Sequence, residues 1–298
     1  MVDPVSVRLV EDLPARAPSI VEARAFCVRL ARAHYENFTV LSWLVPRAIR
    51  RRLASVYAYC RTVDDIGDEA SGDRLRLLDR YEQQLDAAFD GSARHPVLVA
   101  LSETIRALDL PREPFLRLIE ANRIDQRVTR HATFASLLDY CTFSANPVGR
   151  LVLMLNGFRD DERFAWSDAT CTALQLANFW QDVKRDYAAG RIYLPADEMV
   201  ELGVRADDLA SDEASPALRE LMRRLVDRTR TYFNDGLALL GSVRGPLRVE
   251  LALFSGGGAA VLDAIEALGY DTLRHRPTVS ARRKAAILVR ALARSGRQ

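Results

Sequence analysis

The chain has 298 residues, 49% of them hydrophobic, with 42 basic against 40 acidic side chains. That is ample apolar material for a large core, and a net charge of +2 gives no concentrated basic face for nucleic acid. Four cysteines without C-x-x-C spacing and four histidines without an H-E-x-x-H helix argue against a disulfide framework or a zinc site.

Residues 1–18 carry acids and prolines where a secretory segment would be apolar, so they read as a flexible leader. The longest uncharged stretches, such as Ala169 to Gln181, fall short of the roughly 20 residues needed to span a bilayer. The expectation is a cytoplasmic protein, with at most peripheral contact with the inner face of a membrane.

From residue 19 to residue 298, period-3.6 patterning dominates and predicts one all-α domain. A helix is expected over about 20–34, followed by an irregular Tyr35-Glu36-Asn37-Phe38 segment. A long helix starts near Pro46, and Ser71-Gly72-Asp73 ends it and caps the next, about 74–89. Further helices are predicted at about 97–108, 111–126 and 133–157, the last broken at Asn146-Pro147. Asp161 or Ser167 opens a helix that Gly190 closes, and residues 191–195 leave it extended. Three more helices are expected at about 214–240, 246–268 and 280–294. Gly256-Gly257-Gly258 is predicted to interrupt the second of these, as a close helix contact; no strand precedes it, as a phosphate-binding loop would require.

Two Asp-x-x-x-Asp pairs, Asp64/Asp68 and Asp182/Asp186, lie on two of these helices. Residues four apart share one helix face, so each pair presents two carboxylates together. Both continue apolar runs, Val56 to Val63 and Ala173 to Gln181, and unpaired carboxylates lining an interior are costly. A cation removes that cost. Oxygen-only ligation without His or Cys suits Mg²⁺, which pairs one or two carboxylates with substrate phosphates. Tyr57, Arg61, Asp64 and Asp68 follow i, i+4, i+7, i+11, and Gln175, Asn178, Asp182 and Asp186 repeat that spacing. Facing stripes would give a magnesium–diphosphate site, with the Arg61 fork on a diphosphate oxygen and Gln175 and Asn178 orienting water or phosphate. Asp65 and Glu69 point about 100° away and read as supporting or solvated groups.

The strings YAYCRTVDDIGDE and LQLANFWQDVKRDYAAGRIYLP resemble the two signature regions of the squalene/phytoene synthase family, and the likeness extends over about residues 25–295. The resemblance implies the all-α isoprenoid synthase fold around a central apolar cavity. It implies Mg²⁺ on Asp64, Asp68, Asn178, Asp182 and Asp186. It also implies a prenyl diphosphate substrate, either presqualene or farnesyl diphosphate, contacted by Tyr57, Arg61, Gln175, Asn178, Tyr193 and Arg282. No nicotinamide cofactor is expected.

Many family members have Arg before the second Asp motif and an acid before its last Asp; here these are Gln181 and Arg185. With residues 34–38, 144–150 and 178–182, the pattern resembles the bacterial hopanoid branch, whose hydroxysqualene synthases ionise presqualene diphosphate and admit water. Alternatives are a head-to-head synthase making presqualene diphosphate, squalene or phytoene from two allylic diphosphates, and a non-catalytic membrane-associated assembly factor. Phe38, Trp43, Tyr57, Phe179 and Trp180 are aromatic candidates for shielding a carbocation, each with ordinary core packing as the competing role. Arg47, Arg50, Arg51 and Arg52 form a basic cluster suited to anionic lipid or to diphosphate entry.

Overall fold

A computed structural model describes residues 4–34 and 45–295. In chain order the helices are α1 (Val5–Glu11), α2 (Ile20–His34), α3 (Arg47–Asp68), α4 (Arg74–Asp90) and α5 (Pro96–Leu108). Next come α6 (Glu113–Asp125), α7 (Phe134–Ser144), α8 (Asn146–Leu155), α9 (Asp161–Gln181) and α10 (Val183–Ala188). They are followed by α11 (Ala196–Leu202), a 3₁₀ turn (Ala206–Ala210), α12 (Pro216–Asp235), α13 (Leu237–Ser242), α14 (Gly245–Ala267) and α15 (Ala281–Ser295). No strand occurs among the described residues, and a single bridge joins Arg130 to Ile192. The chain is all-α, as the patterning predicts. It divides into two compact units, Met1–Arg127 with Pro147–Arg159 and Val128–Asn146 with Asp160–Gln298.

In the first unit an aromatic group fixes α3. The Tyr59 ring stacks on Tyr81 at 5.5 Å and meets Phe115 edge-on at 5.1 Å, while its hydroxyl donates to the Phe115 carbonyl at 2.8 Å. Burial of Ala54, Ala58, Tyr59, Val63 and Ile66 sets the rotation of the helix and turns residues 57, 61, 64 and 68 to another face. Helix ends follow local chemistry. The Asp73 side chain accepts from the Arg76 amide to start α4, and Thr133 and Ser136 form a reciprocal cap on α7.

The leader expectation needs correction. Residues 5–11 form a helix with Val7 and Val10 buried, and the Ser6 hydroxyl donates to Asp65 at 3.3 Å. The buried His95 ring holds the Ser6 carbonyl through Nε2 at 2.9 Å. Burial pushes the His95 imidazole down from 6.5 to about 4. The folded chain therefore binds fewer protons than the unfolded chain between these values. Stability from this group is fully present above pH 6.5 and is lost as pH falls toward 4. The total is about 3 kcal/mol. Thermal melts across that window should show the decline, and His95→Gln should flatten it; an unchanged slope in the variant would contradict the assignment.

In the second unit the triple glycine does not interrupt α14, contrary to the expectation of a break, and its packing role holds. A Cβ at Gly256 would come within 2.8 Å of Ile287 on α15, and one at Gly258 within 2.5 Å of Phe233 and 2.6 Å of Leu174. Close approach of three helices outweighs the helix-propensity cost of about 1 kcal/mol per glycine. The helix expected over 214–240 breaks at Gly236, where a Cβ would meet Thr170 Oγ1 at 2.1 Å and the Trp166 carbonyl at 3.1 Å.

Candidate functional site

The polar stripe of α3 ends in a tightly bonded turn. Arg74 donates from Nη1 to the Gly67 carbonyl at 2.9 Å, from Nη2 to Asp68 at 3.0 Å and from Nε to Ala70 at 2.9 Å. Gln126, which caps the C-terminus of α6, adds a bond to the Gly67 carbonyl at 3.1 Å. These donors satisfy carbonyls that a helix C-terminus leaves open, and so fix the backbone beneath Asp64 and Asp68. Asn122, one turn before Gln126, donates to Asp64 Oδ1 at 3.5 Å. Sequence reasoning misses Arg74, Asn122 and Gln126, because polar residues at helical spacing look like a solvated face.

Asp64 and Asp68 are both exposed. Surrounding protein atoms, then the Asp68 carboxylate, push Asp64 up to about 7. Because solvent reaches the side chain and screens the burial penalty, the like-charged neighbour is the firmer cause. Arg61 is committed within the helix, with Nη2 at 2.5 Å from Asp65 and 2.6 Å from Glu69. Asp65 is 1% exposed, so the solvated reading of that residue is overturned; Glu69 stays about half exposed, at 48%. Tyr57 is half-buried, and desolvation raises its phenol above the ordinary value.

Gly67 allows this arrangement. A Cβ there would lie 1.9 Å from Asn122 Oδ1, so Gly67→Ala must turn the Asn122 amide away from Asp64. The expected cost is about 1–3 kcal/mol, and the loss of melting temperature should shrink when Asn122→Ala is added. Equal losses with and without Asn122 would show that the crowding lies elsewhere.

The second motif is not on one continuous helix. The Asp160 side chain caps α9 by accepting from the Arg163 amide, and the helix ends at Gln181. Asp182 sits in the break with φ −106° and ψ 15°, and α10 carries Asp186. The four-residue backbone register survives, since the Asp186 amide donates to the Asp182 carbonyl at 2.8 Å. Gly190, at φ +82°, closes α10 as expected. Gln175 is half-buried, Asn178 exposed, Asp182 7% exposed and Asp186 half-buried.

Arg276, which the sequence reading does not single out, grips Asp182 with both arms. Its Nε lies 2.5 Å from Oδ1 and its Nη2 3.1 Å from Oδ2. Gln181 shares the fork, accepting from Arg276 Nη2 at 3.2 Å while its amide donates to the Pro277 carbonyl at 2.6 Å. Gln181, Asp182, Lys184, Arg185 and Arg276 line a cleft of about 340 Å³. Its three cations suit an anionic group of diphosphate size.

Two other candidates have different surroundings. Tyr193 is 8% exposed and stacks on Phe179 at 3.9 Å and on His131 at 5.7 Å, inside an aromatic cluster. Arg282 lies exposed in the first turn of α15, while its neighbour Arg283 pairs with Asp263 at 2.8 Å. Trp180 is fully buried and donates to Thr229 Oγ1 at 2.8 Å, which makes it a core residue. Glu36, Asn37, Phe38 and Trp43 lie outside the described residues.

The two aspartate pairs belong to different compact units. Among the described residues no three His, Cys, Asp or Glu side chains form a metal-binding group. Asp64 and Asp68 nevertheless fit a hard divalent cation, being exposed all-oxygen donors that repel each other without one. Asp182 fits less simply, because Arg276 occupies both of its oxygens.

The squalene/phytoene synthase family model matches residues 31–283. The chain belongs to the squalene/phytoene synthase family. This synthase is 30% identical to the 15-cis-phytoene synthase of Synechococcus elongatus, over 97% of its own length and 99% of that protein. It is 48% identical to the crystal structure of squalene synthase HpnC from Alicyclobacillus acidocaldarius, with a TM-score of 0.80 over 88% of its own chain and 98% of the other. A dehydrosqualene synthase in complex with ligand is similar at 25% identity, with a TM-score of 0.83 over 92% and 97% of the two chains. The synthase is thus an enzyme of the family's prenyltransferase type. Among its described residues no helix is long and apolar enough to cross a membrane.

Proposed function

We propose that this synthase ionises presqualene diphosphate and lets water capture the rearranged cation, giving hydroxysqualene and diphosphate. The observation that carries this reading is the Gln181–Arg276–Asp182 arrangement. Where many relatives place an arginine at position 181, this chain has a neutral amide that holds a guanidinium contributed from the Arg276 loop. An arginine at 181 would set like charge against Arg276, so the cation beside the leaving group is supplied differently here. The 48% identity to squalene synthase HpnC, against 30% to a phytoene synthase, supports a squalene-side substrate.

In this reading Asp64, Asp68, Asp182 and Asp186, with Asn178, hold Mg²⁺. When bound, the metal adds positive charge against the departing diphosphate. Arg276 and Lys184 add fixed charge in the cleft beside Asp182 and need little reorganisation as the C–O bond breaks. Arg61, paired with Asp65 and Glu69, is a further diphosphate contact in this reading. Gln175 orients a phosphate oxygen or water, Tyr57 and Tyr193 line the approach, and Arg282 meets the diphosphate from the start of α15. Gln181 and Arg185, which depart from the pattern of many family members, help set whether water is admitted.

The competing reading is condensation of two allylic diphosphates to presqualene diphosphate, squalene or phytoene, and near-full-length likeness to a phytoene synthase supports it. Product mass separates the two. Purified protein with Mg²⁺ and presqualene diphosphate, and no nicotinamide cofactor, is expected to give an alcohol. A hydrocarbon from two farnesyl diphosphates without a partner enzyme would replace the first reading with the second.

A further inference from the structure

The outer face of α15 is apolar and unusually exposed. Ala285, Leu288, Val289 and Leu292 recur at i, i+3, i+4 and i+7, which is one helix stripe. Val289 is 64% exposed and Leu292 40%, whereas Ala291 is buried and Ile287 packs toward Gly256. The other large exposed apolar residues outside this helix include Val5, Val21 and Val200, which are scattered singly. Leu237, 55% exposed, lines a cleft of about 520 Å³ beside α15, and the charged residues of that lining are Arg248, Arg283 and Arg290.

Charge on this segment has one sign. Residues 281–298 include Arg282, Arg283, Lys284, Arg290, Arg294 and Arg297, and no acidic residue. The carboxylate of Asp263 on α14 is already shared between Arg283 and Arg230. An apolar stripe flanked by cations on a 15-residue helix, too short to span a bilayer, is the pattern of an interfacial helix. Two copies packed stripe to stripe would bring these cations together, and nucleic acid offers nothing apolar to cover Val289 and Leu292.

We propose that α15 docks this protein on an anionic phospholipid surface. Leu288, Val289 and Leu292 enter the headgroup–acyl boundary, while Arg290 pairs with lipid phosphates. The basic cluster at Arg47, Arg50, Arg51 and Arg52 is the weaker surface. Arg50, Arg51 and Arg52 are half-buried, and Arg51 and Arg52 line a small cleft that also contains Glu103.

Co-sedimentation of the full chain with phosphatidylcholine vesicles, with and without phosphatidylglycerol, tests this independently of the chemistry. Wild type is expected to pellet with the phosphatidylglycerol vesicles, to be released by salt and to ignore phosphatidylcholine alone. Val289→Ser/Leu292→Ser and, separately, Arg290→Gln should each weaken binding about tenfold without moving the melting temperature, since all three residues are exposed. The proposal is overturned if wild type ignores the anionic vesicles, or if the folded variants bind as well as wild type. It is also overturned if light scattering shows a dimer that the same substitutions dissociate.

Discussion

Asp64→Asn is expected to lower turnover at least about a thousandfold while leaving the melting temperature at or slightly above its wild-type value. The residue is exposed, and its side chain takes only a long contact of 3.5 Å from Asn122 among the described residues, so folding depends on it little. Removing its charge also relieves repulsion from Asp68, which favours the folded apo chain slightly. Asp182→Asn should behave differently. That carboxylate is buried and holds Arg276 at two points, so its loss both removes a proposed metal donor and releases a guanidinium. Steady-state kinetics beside thermal melts separate the two. Full activity in Asp64→Asn would defeat the metal assignment, whatever the second variant does.

Trp180→Ala is expected to cost about 3–5 kcal/mol, a large share of a typical domain's stability, whereas Trp180→Phe should lower the melting temperature and keep turnover. The indole is fully buried and bonds to Thr229, whose hydroxyl also donates to the Leu225 carbonyl. Phe retains most of the apolar volume, and Thr229 keeps its other partner. The contrast bears on mechanism as well as stability. A Trp180→Phe protein that melts like wild type but loses turnover would show that the indole face stabilises a cation instead of filling the core.

What the sequence made legible was what repeats along a helix. The stripes at 57–68 and 175–186 stood out because carboxylates continued apolar runs at a fixed spacing, and the resemblance to known signature regions rested on those same residues. Other features left no such trace. Helix α1 is short and flanked by prolines, and two buried valines hold it, so its composition resembled a leader. Arg276 lies in a non-periodic segment, and only the folded chain shows that it reaches back 94 residues to Asp182. Gly256 to Gly258 looked like a break because local propensity opposes a helix there, while the packing that overrides it comes from Leu174, Phe233 and Ile287. The interruption at Asp182 occurs without proline or glycine and had no local signal. Helix α11, directly after the extended 191–195 segment, is seven residues long, too short for a 3.6-residue period to show.

That interruption has a mechanical consequence. In an unbroken rod, any shift of Asp186 would be transmitted to Phe179 and Trp180, whose burial in the second unit resists movement. With the joint at residue 182, a modest change in two dihedrals can re-aim the six-residue arm that follows while the wall behind it stays in place. The arm has its own tether, Lys184 to Asp212 at 2.9 Å. The spacing of the second aspartate pair can therefore change at little cost to the core.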